Sequence, residues 1–144
     1  MIVLDSYAVL ALLKDEPAAE EVERLVTGQD EVALTALGLA EVVDHLIRFT
    51  GVEEDDAVLD VAQLGLASPS PVEVELALRS GLLRARHYHR TDRAVSLADC
   101  VAAETARPIG FALCSADPHL LDVCRDEGIA TIPLPDSNGR RWSS

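Results

Sequence analysis

The chain begins with a short apolar run that ends abruptly in an acid. Ile2, Val3 and Leu4 show no alternation of apolar and polar side chains, which predicts a strand buried on both faces of a parallel sheet. Asp5 follows directly, and Ser6 is placed to begin a helix. A carboxylate here would lie at the carboxyl edge of the sheet, where open α/β folds bind ligands. This stretch alone, however, favours Asp5 as a helix N-cap.

Segments of strand and helix character alternate along most of the 144 residues. Four further segments have strand character: 31–35, 64–67, 109–114 and 129–132. Such alternation predicts a parallel sheet with helices on both faces. We expect a single domain over residues 1–135, with a loop at 68–71 and a C-terminal tail at 136–144.

Composition limits the possible functions. The formal net charge of −13 disfavours general electrostatic binding to nucleic acid, although a bound cation reverses the sign of an acidic site locally. No apolar stretch approaches the roughly 20 residues of a membrane helix, and the N-terminus lacks the positive segment of a signal peptide. Cys100, Cys114 and Cys124 have no C-x-x-C spacing, which predicts reduced core thiols. We therefore expect a cytoplasmic protein without membrane contact.

Four acids occupy comparable positions near the starts of predicted helices. Asp5 and Asp117 each follow an apolar strand, while Glu41 and Asp99 lie in the early turns of two other helices. Right-handed crossovers place the carboxyl ends of parallel strands at one edge, so we expect the four carboxylates to converge there. Adjacent carboxylates raise one another's pKa unless a cation compensates them. Oxygen ligands favour Mg²⁺ or Mn²⁺, and such an ion supports hydrolysis of a nucleic-acid backbone.

Each acid also has a purely structural interpretation. Asp5 and Asp117 are suited to be N-caps, Asp99 is spaced to form a capping box with Ser96, and Glu41 is suited to a helix dipole. Convergence is therefore a hypothesis about the four residues together.

The segments around these acids resemble the four acidic motifs of PIN-domain proteins: residues 1–6, 35–43, 96–99 and 114–117. In order, length and flanking residues they are most similar to the VapC-type toxins of prokaryotic toxin–antitoxin pairs. The resemblance covers residues 1–134 and implies a three-layer α/β/α sandwich with a central parallel sheet of four to five strands. It also implies a Mg²⁺- or Mn²⁺-dependent endoribonuclease that hydrolyses RNA phosphodiester bonds.

The resemblance assigns a role to each acid. Asp5, Glu41, Asp99 and Asp117 match the metal-binding acids of the family. Asp5 and Asp99 would be direct ligands, and the other two would act directly or through water.

The resemblance further implies supporting hydroxyls and protein partners. Ser6 and Ser115 would orient a metal-bound water or a neighbouring carboxylate. The partners would be a cognate VapB-like antitoxin and a second copy of the chain. The apolar helices at 10–26 and 36–49 would provide the contact surface, unless they are ordinary core.

Basic residues cluster between Arg79 and Arg93. Arg84, Arg86 and Arg90 either form a solvated helix end, where cations suit the helix dipole, or grip the phosphates of RNA just before the Asp99 motif.

Two alternatives to the nuclease remain. One is a catalytically inactive PIN-fold module that binds protein or RNA. The other is an aspartyl-phosphate phosphotransferase, since that class also places an Asp after its first strand. It typically requires a second Asp two positions on, where this chain has Tyr7.

Overall fold

The computed structural model describes residues 1–68 and 71–144. Within these ranges the elements are, in chain order, β1 (Ile2–Leu4), α1 (Ser6–Leu13), α2 (Ala19–Val26), β2 (Val32–Leu34), α3 (Ala36–Arg48), α4 (Glu54–Ala62), α5 (Val74–His87), α6 (Leu97–Thr105), β3 (Ala112–Ser115), α7 (Pro118–Glu127) and β4 (Thr131–Pro133). The loop predicted at 68–71 includes residues 69 and 70, which lie outside the described residues. None of the described helices combines the length and hydrophobicity that a membrane span requires.

The described strands all pair in parallel, in the order β2-β1-β3-β4. Leu4 at the end of β1 pairs with Leu34 on one side and Cys114 on the other, so these strands end at one edge. The fifth candidate strand, 64–67, contributes a single bridge between Ala67 and Ala33. The first residues of this segment form a turn instead of a strand, and Gly65 in that turn has a φ of +64°. The predicted parallel sheet is confirmed, with four strands in the described residues.

Successive residues of β1 face opposite sides of the sheet. Ile2 and Leu4 pack in a core with α1, α2, α3 and α4, whereas Val3 packs in a second core with α5, α6 and α7. A strand buried on both faces has no polar position, which explains the absence of alternation in its sequence. The result is the three-layer α/β/α sandwich that the family resemblance implied.

The helices proposed as a partner surface divide into two groups. Residues 8–11 of α1 and Val22 of α2 are buried, so core packing explains their apolar character. In α3, by contrast, Leu39 is 43% exposed, and Phe49 just beyond the helix is 67% exposed. Of the two segments predicted to contact a partner, only 36–49 therefore presents strongly exposed apolar side chains to solvent.

The strand predicted over 109–114 begins later than expected, at Ala112. Ile109 is fully exposed, and a backbone hydrogen bond of 3.0 Å closes a turn onto the carbonyl of Pro108. Gly110 has a φ of +88°, which suits this turn. The turn-forming Pro and Gly therefore outweigh the apolar character of Ile109, and the predicted start of the strand was wrong.

The C-terminal tail returns to the body of the domain. The indole N–H of Trp142 donates to Asp122 Oδ1 on α7 at 3.0 Å. Arg141 forms an ion pair with Glu21 on α2. The tail therefore connects a helix of one outer layer with a helix of the other.

The cysteines are buried and free, as predicted. Burial raises the pKa of the Cys100 and Cys124 thiols to about 12. Both remain neutral near pH 7 and behave as small apolar side chains.

Candidate active site

The four predicted acids lie at the carboxyl edge of the sheet. Asp5 directly follows β1, and Asp117 lies two residues beyond β3, the neighbouring strand. Glu41 is in the second turn of α3, which follows β2, and Asp99 is in the first turn of α6. Asp99 interacts electrostatically with each of the other three acids, and Asp5 interacts with Asp117. The fold therefore brings carboxylates from four distant segments within range of mutual repulsion.

Asp5 is the most buried of the four acids, with 6% of its surface exposed. Burial raises its pKa to about 7, and the charges of Asp99 and Asp117 contribute in the same direction. Hydrogen bonds from the Ser115 hydroxyl and the Ala8 N–H lower the pKa without offsetting burial. A carboxyl group of this kind is about half ionised near pH 7, and a nearby cation would favour its ionised form.

Partial burial also raises the pKa of Asp99, and desolvation raises that of Glu41 even though much of the Glu41 side chain is exposed. Repulsion from Asp99 adds to the effect at Glu41, and repulsion from Asp117 adds to it at Asp99. The hydroxyl of Ser6 lowers the pKa of Glu41 by hydrogen bonding, but desolvation is the larger influence. Negative charge is therefore disfavoured at these two positions as well as at Asp5.

Three of the acids also have the capping role that their positions suggested. Each accepts a backbone N–H: Asp5 Oδ1 from Ala8 at 2.8 Å, Asp99 Oδ2 from Ser96 at 2.8 Å, and Asp117 Oδ1 from His119 at 2.9 Å. A carboxylate offers about four acceptor positions, so a cap leaves room for a further ligand. The capping and metal-binding interpretations are therefore compatible.

Both predicted hydroxyls contact a carboxyl group. Ser115 Oγ accepts the Asp117 N–H at 3.0 Å, and the Ser115 hydroxyl is near enough to the Asp5 carboxyl to lower its pKa. The Ser6 hydroxyl has the same effect on the pKa of Glu41. Contact with a neighbouring carboxylate is one of the two roles that the family resemblance implied for these residues.

The donors at this edge are carboxylate and hydroxyl oxygens, which suit a hard divalent cation rather than zinc. In the part of the chain that the structure describes, no three His, Cys, Asp or Glu side chains are gathered closely enough to hold a metal ion. Repulsion between uncompensated acids favours such separation. The donor chemistry therefore fits the ion, and metal binding stays a proposal.

The predicted RNA-binding arginines are distributed over a wider area. Arg84 Nε donates to a backbone carbonyl in the segment before α6 at 2.8 Å, and Arg86 pairs with Glu127 at 3.4 Å. Glu127 ends α7, which begins next to Asp117 and, with 10 residues, is about 15 Å long. Arg90 is exposed. RNA binding by these three residues stays a prediction.

His119 is a neighbour of the site that the sequence did not reveal. It lies in the first turn of α7, and its Nδ1 accepts the N–H of Ala94 at 3.0 Å. The Asp-Pro-His sequence predicts a helix start through its Asp and Pro. No local pattern connects a histidine to a backbone N–H 25 residues earlier.

The sequence model of the PIN domain matches residues 2–126. The chain belongs to the PIN-domain family. The resemblance carried by the four acidic motifs is thus confirmed, and the acids at the carboxyl edge lie within the matched region of this PIN domain.

Solved structures of low sequence identity share the fold. VapBC2 from Rickettsia felis, bound to a DNA fragment from its promoter, matches with a TM-score of 0.66 at 14% identity, over 92% of this chain and 98% of that one. VapC20 from Mycobacterium tuberculosis, a Sarcin-Ricin loop cleaving toxin, matches with a TM-score of 0.66 at 19% identity, over 85% and 94%. VapBC-1 from nontypeable Haemophilus influenzae matches with a TM-score of 0.65 at 19% identity, over 92% and 97%. No curated protein matches the chain.

Proposed function

We propose that this PIN domain is a metal-dependent endoribonuclease. One observation carries the proposal: acids from four separate segments lie at a single edge of the sheet, and desolvation disfavours the charge of Asp5, Glu41 and Asp99. A divalent cation would relieve that cost, because it offers a counter-charge to every acid at once. The structural relative VapC20, a Sarcin-Ricin loop cleaving toxin, supports RNA as the substrate class.

The four acids would bind Mg²⁺ or Mn²⁺ together, in different ways. Asp5 and Asp99 would bind the ion directly, and Glu41 and Asp117 would do so directly or through water. When bound, the ion supplies an activated water and a counter-charge for the phosphodiester. Hydrolysis of the phosphodiester would form a bond between the oxygen of water and phosphorus, break the bond between phosphorus and the leaving oxygen, and pass a proton of the water to that oxygen. Ser115 would help to orient Asp5 and Asp117, because its hydroxyl accepts the Asp117 N–H and lies near the Asp5 carboxyl.

Cleavage of labelled RNA tests the proposal with the variants Asp5→Asn and Asp55→Asn. Asp55 is an exposed acid at the start of α4, so its substitution changes the net charge equally without touching the site. We expect Mn²⁺-dependent cleavage by the wild type, loss of cleavage in EDTA, and a decrease of about 100-fold or more in Asp5→Asn. Asp55→Asn should cleave like the wild type.

Two results would contradict the nuclease. Equal cleavage by the wild type and Asp5→Asn would indicate a contaminating enzyme. Mn²⁺-independent binding of RNA with no cleavage by either protein would favour the inactive binding module.

We further propose that the protein is the toxin of a type II toxin–antitoxin pair and acts in the cytoplasm of a prokaryote. Its structural relatives from R. felis and H. influenzae are VapBC complexes. A groove of about 300 Å³ between α3 and α4 is lined by apolar side chains, including Leu39, Val43, Val58 and Val61. The apolar face of an antitoxin helix would fit such a groove.

A homodimer is the second proposed assembly, and α5 offers a surface for it. Val74, Leu78 and Leu82 follow one another at four-residue spacing, with 77%, 62% and 58% of their surfaces exposed. They form one apolar stripe along the helix. A second copy of the chain would bury the stripe against itself around a two-fold axis.

A further inference from the structure

The segment that precedes α6 is held between two helices of the same layer. Val95 is 1% exposed. On one side, Arg84 Nε from α5 donates to the Val95 carbonyl at 2.8 Å. On the other side, His119 Nδ1 from α7 accepts the N–H of Ala94 at 3.0 Å. We call these two hydrogen bonds the 94–95 clamp.

The clamp lies directly before the turn that holds Asp99. Ser96 N–H donates to Asp99 Oδ2 at 2.8 Å, and the Asp99 N–H donates to Ser96 Oγ at 3.0 Å. This capping box fixes the Asp99 carboxyl relative to Ser96. Anything that fixes residues 94 and 95 therefore also fixes where the Asp99 carboxyl lies.

His119 contacts the other side of the site as well. Its own N–H donates to Asp117 Oδ1 at 2.9 Å. The backbone of His119 therefore contacts Asp117, and its ring contacts the segment that carries Asp99. Because Nδ1 accepts a hydrogen bond from Ala94, the neutral ring carries its proton on Nε2.

Arg84 is suited to the opposite side of the clamp because its own movement is restricted. Its guanidinium lies over the ring of Tyr88, 4.3 Å from the centroid. The planar group stacks on an aromatic face and still directs an N–H at a carbonyl. This is a structural use of a side chain that the sequence suggested for RNA.

We propose that Arg84 and His119 are positioning residues that set the separation between Asp99 and Asp117 at the metal site. The inference rests on the proposed nuclease function and adds two residues to it, neither of which ligates the ion. Groups that orient metal ligands without touching the metal typically influence affinity by about 10- to 100-fold.

Binding of Mn²⁺ to the purified protein, followed by calorimetry, tests the clamp. His119→Phe keeps a ring and removes the acceptor, whereas His119→Asn keeps an acceptor near the Nδ1 position. Arg84→Met removes one side of the clamp, and Arg86→Met is the matched control because Arg86 pairs with Glu127 instead. We expect about tenfold weaker Mn²⁺ binding in His119→Phe and Arg84→Met. His119→Asn and Arg86→Met should stay near the wild-type affinity.

Amide hydrogen exchange of residues 94–99 supplies a readout that needs no metal. Exchange there should accelerate in His119→Phe and Arg84→Met and stay unchanged in the two controls. Wild-type Mn²⁺ affinity in folded His119→Phe and Arg84→Met would overturn the proposal, and so would unchanged exchange. If the wild type binds no Mn²⁺, the nuclease proposal fails. The exchange data then decide alone whether the clamp fixes Asp99.

Discussion

At the scale of a single residue, the buried carboxyl of Asp5 makes the stability of the protein depend on pH. The Asp5 carboxyl is buried beside two other acids, and its pKa is about 7 instead of the ordinary value near 3.8. Below about pH 4 the carboxyl is protonated in both the folded and unfolded states, so burial costs little. As the pH rises towards 7 the unfolded state loses the proton first, and stability falls. Above pH 7 the cost is complete.

We therefore predict that Asp5→Asn stabilises the protein at neutral pH. The amide oxygen still accepts the Ala8 N–H, and the buried charge is gone. Urea unfolding should show a gain of up to about 4 kcal/mol at pH 8 and almost none at pH 4. Saturating Mn²⁺ should reduce the difference in stability between Asp5→Asn and the wild type at pH 8, because the ion would stabilise only the wild type. A variant less stable than the wild type at pH 8 would show that burial of the Asp5 charge carries no such cost.

At the scale of elements, the C-terminal ends of α5, α6 and α7 meet in an ionic cluster. Glu127 at the end of α7 accepts hydrogen bonds from His87 at 2.6 Å and from Arg107 at 2.8 Å. The bond with His87 is the main cause of a pKa lowered to about 2, followed by the bond with Arg107. The cluster therefore joins three helices of one layer at or just beyond their C-terminal ends.

Replacement of Glu127 by Gln should weaken this layer in a pH-dependent manner. A lowered pKa stabilises the fold fully above the ordinary value near 4.5, and that contribution disappears as the pH falls towards 2. We expect a loss of about 2 kcal/mol in the free energy of unfolding at pH 7, shrinking at pH 3. The control Glu75→Gln removes an exposed ion pair with Arg79 and should cost less than about 0.5 kcal/mol.

Elements with a strong local signal were predictable from the sequence. The buried strand at Ile2, the capping box of Ser96 and the placement of Asp5 and Asp117 after strands follow from residue type and short-range spacing. The turn at Ile109 differs from the predicted strand because the flanking Pro108 and Gly110 favour a turn more strongly than the apolar Ile109 favours a strand. The contacts of His119 could not be predicted, since they join segments whose approach depends on how two helices pack.

At the scale of the whole molecule, the exposed apolar stripe on α5 predicts self-association. We expect light scattering to give the mass of a dimer for the wild type at micromolar concentration. Leu78→Glu should weaken association by about 100-fold, because a charge would be buried at the interface. Val58→Glu, in the α3–α4 groove, should leave the dimer intact. A wild type that stays monomeric would exclude the homodimer.

The tail that spans the two outer layers has a practical consequence. Trp142 is the only tryptophan of the chain, and its indole is bonded to Asp122. Tryptophan fluorescence therefore comes from one known position. Release of the last residues would shift the emission while the circular dichroism of the helices stayed constant. A ligand that covers this corner would be detected optically, without any added label.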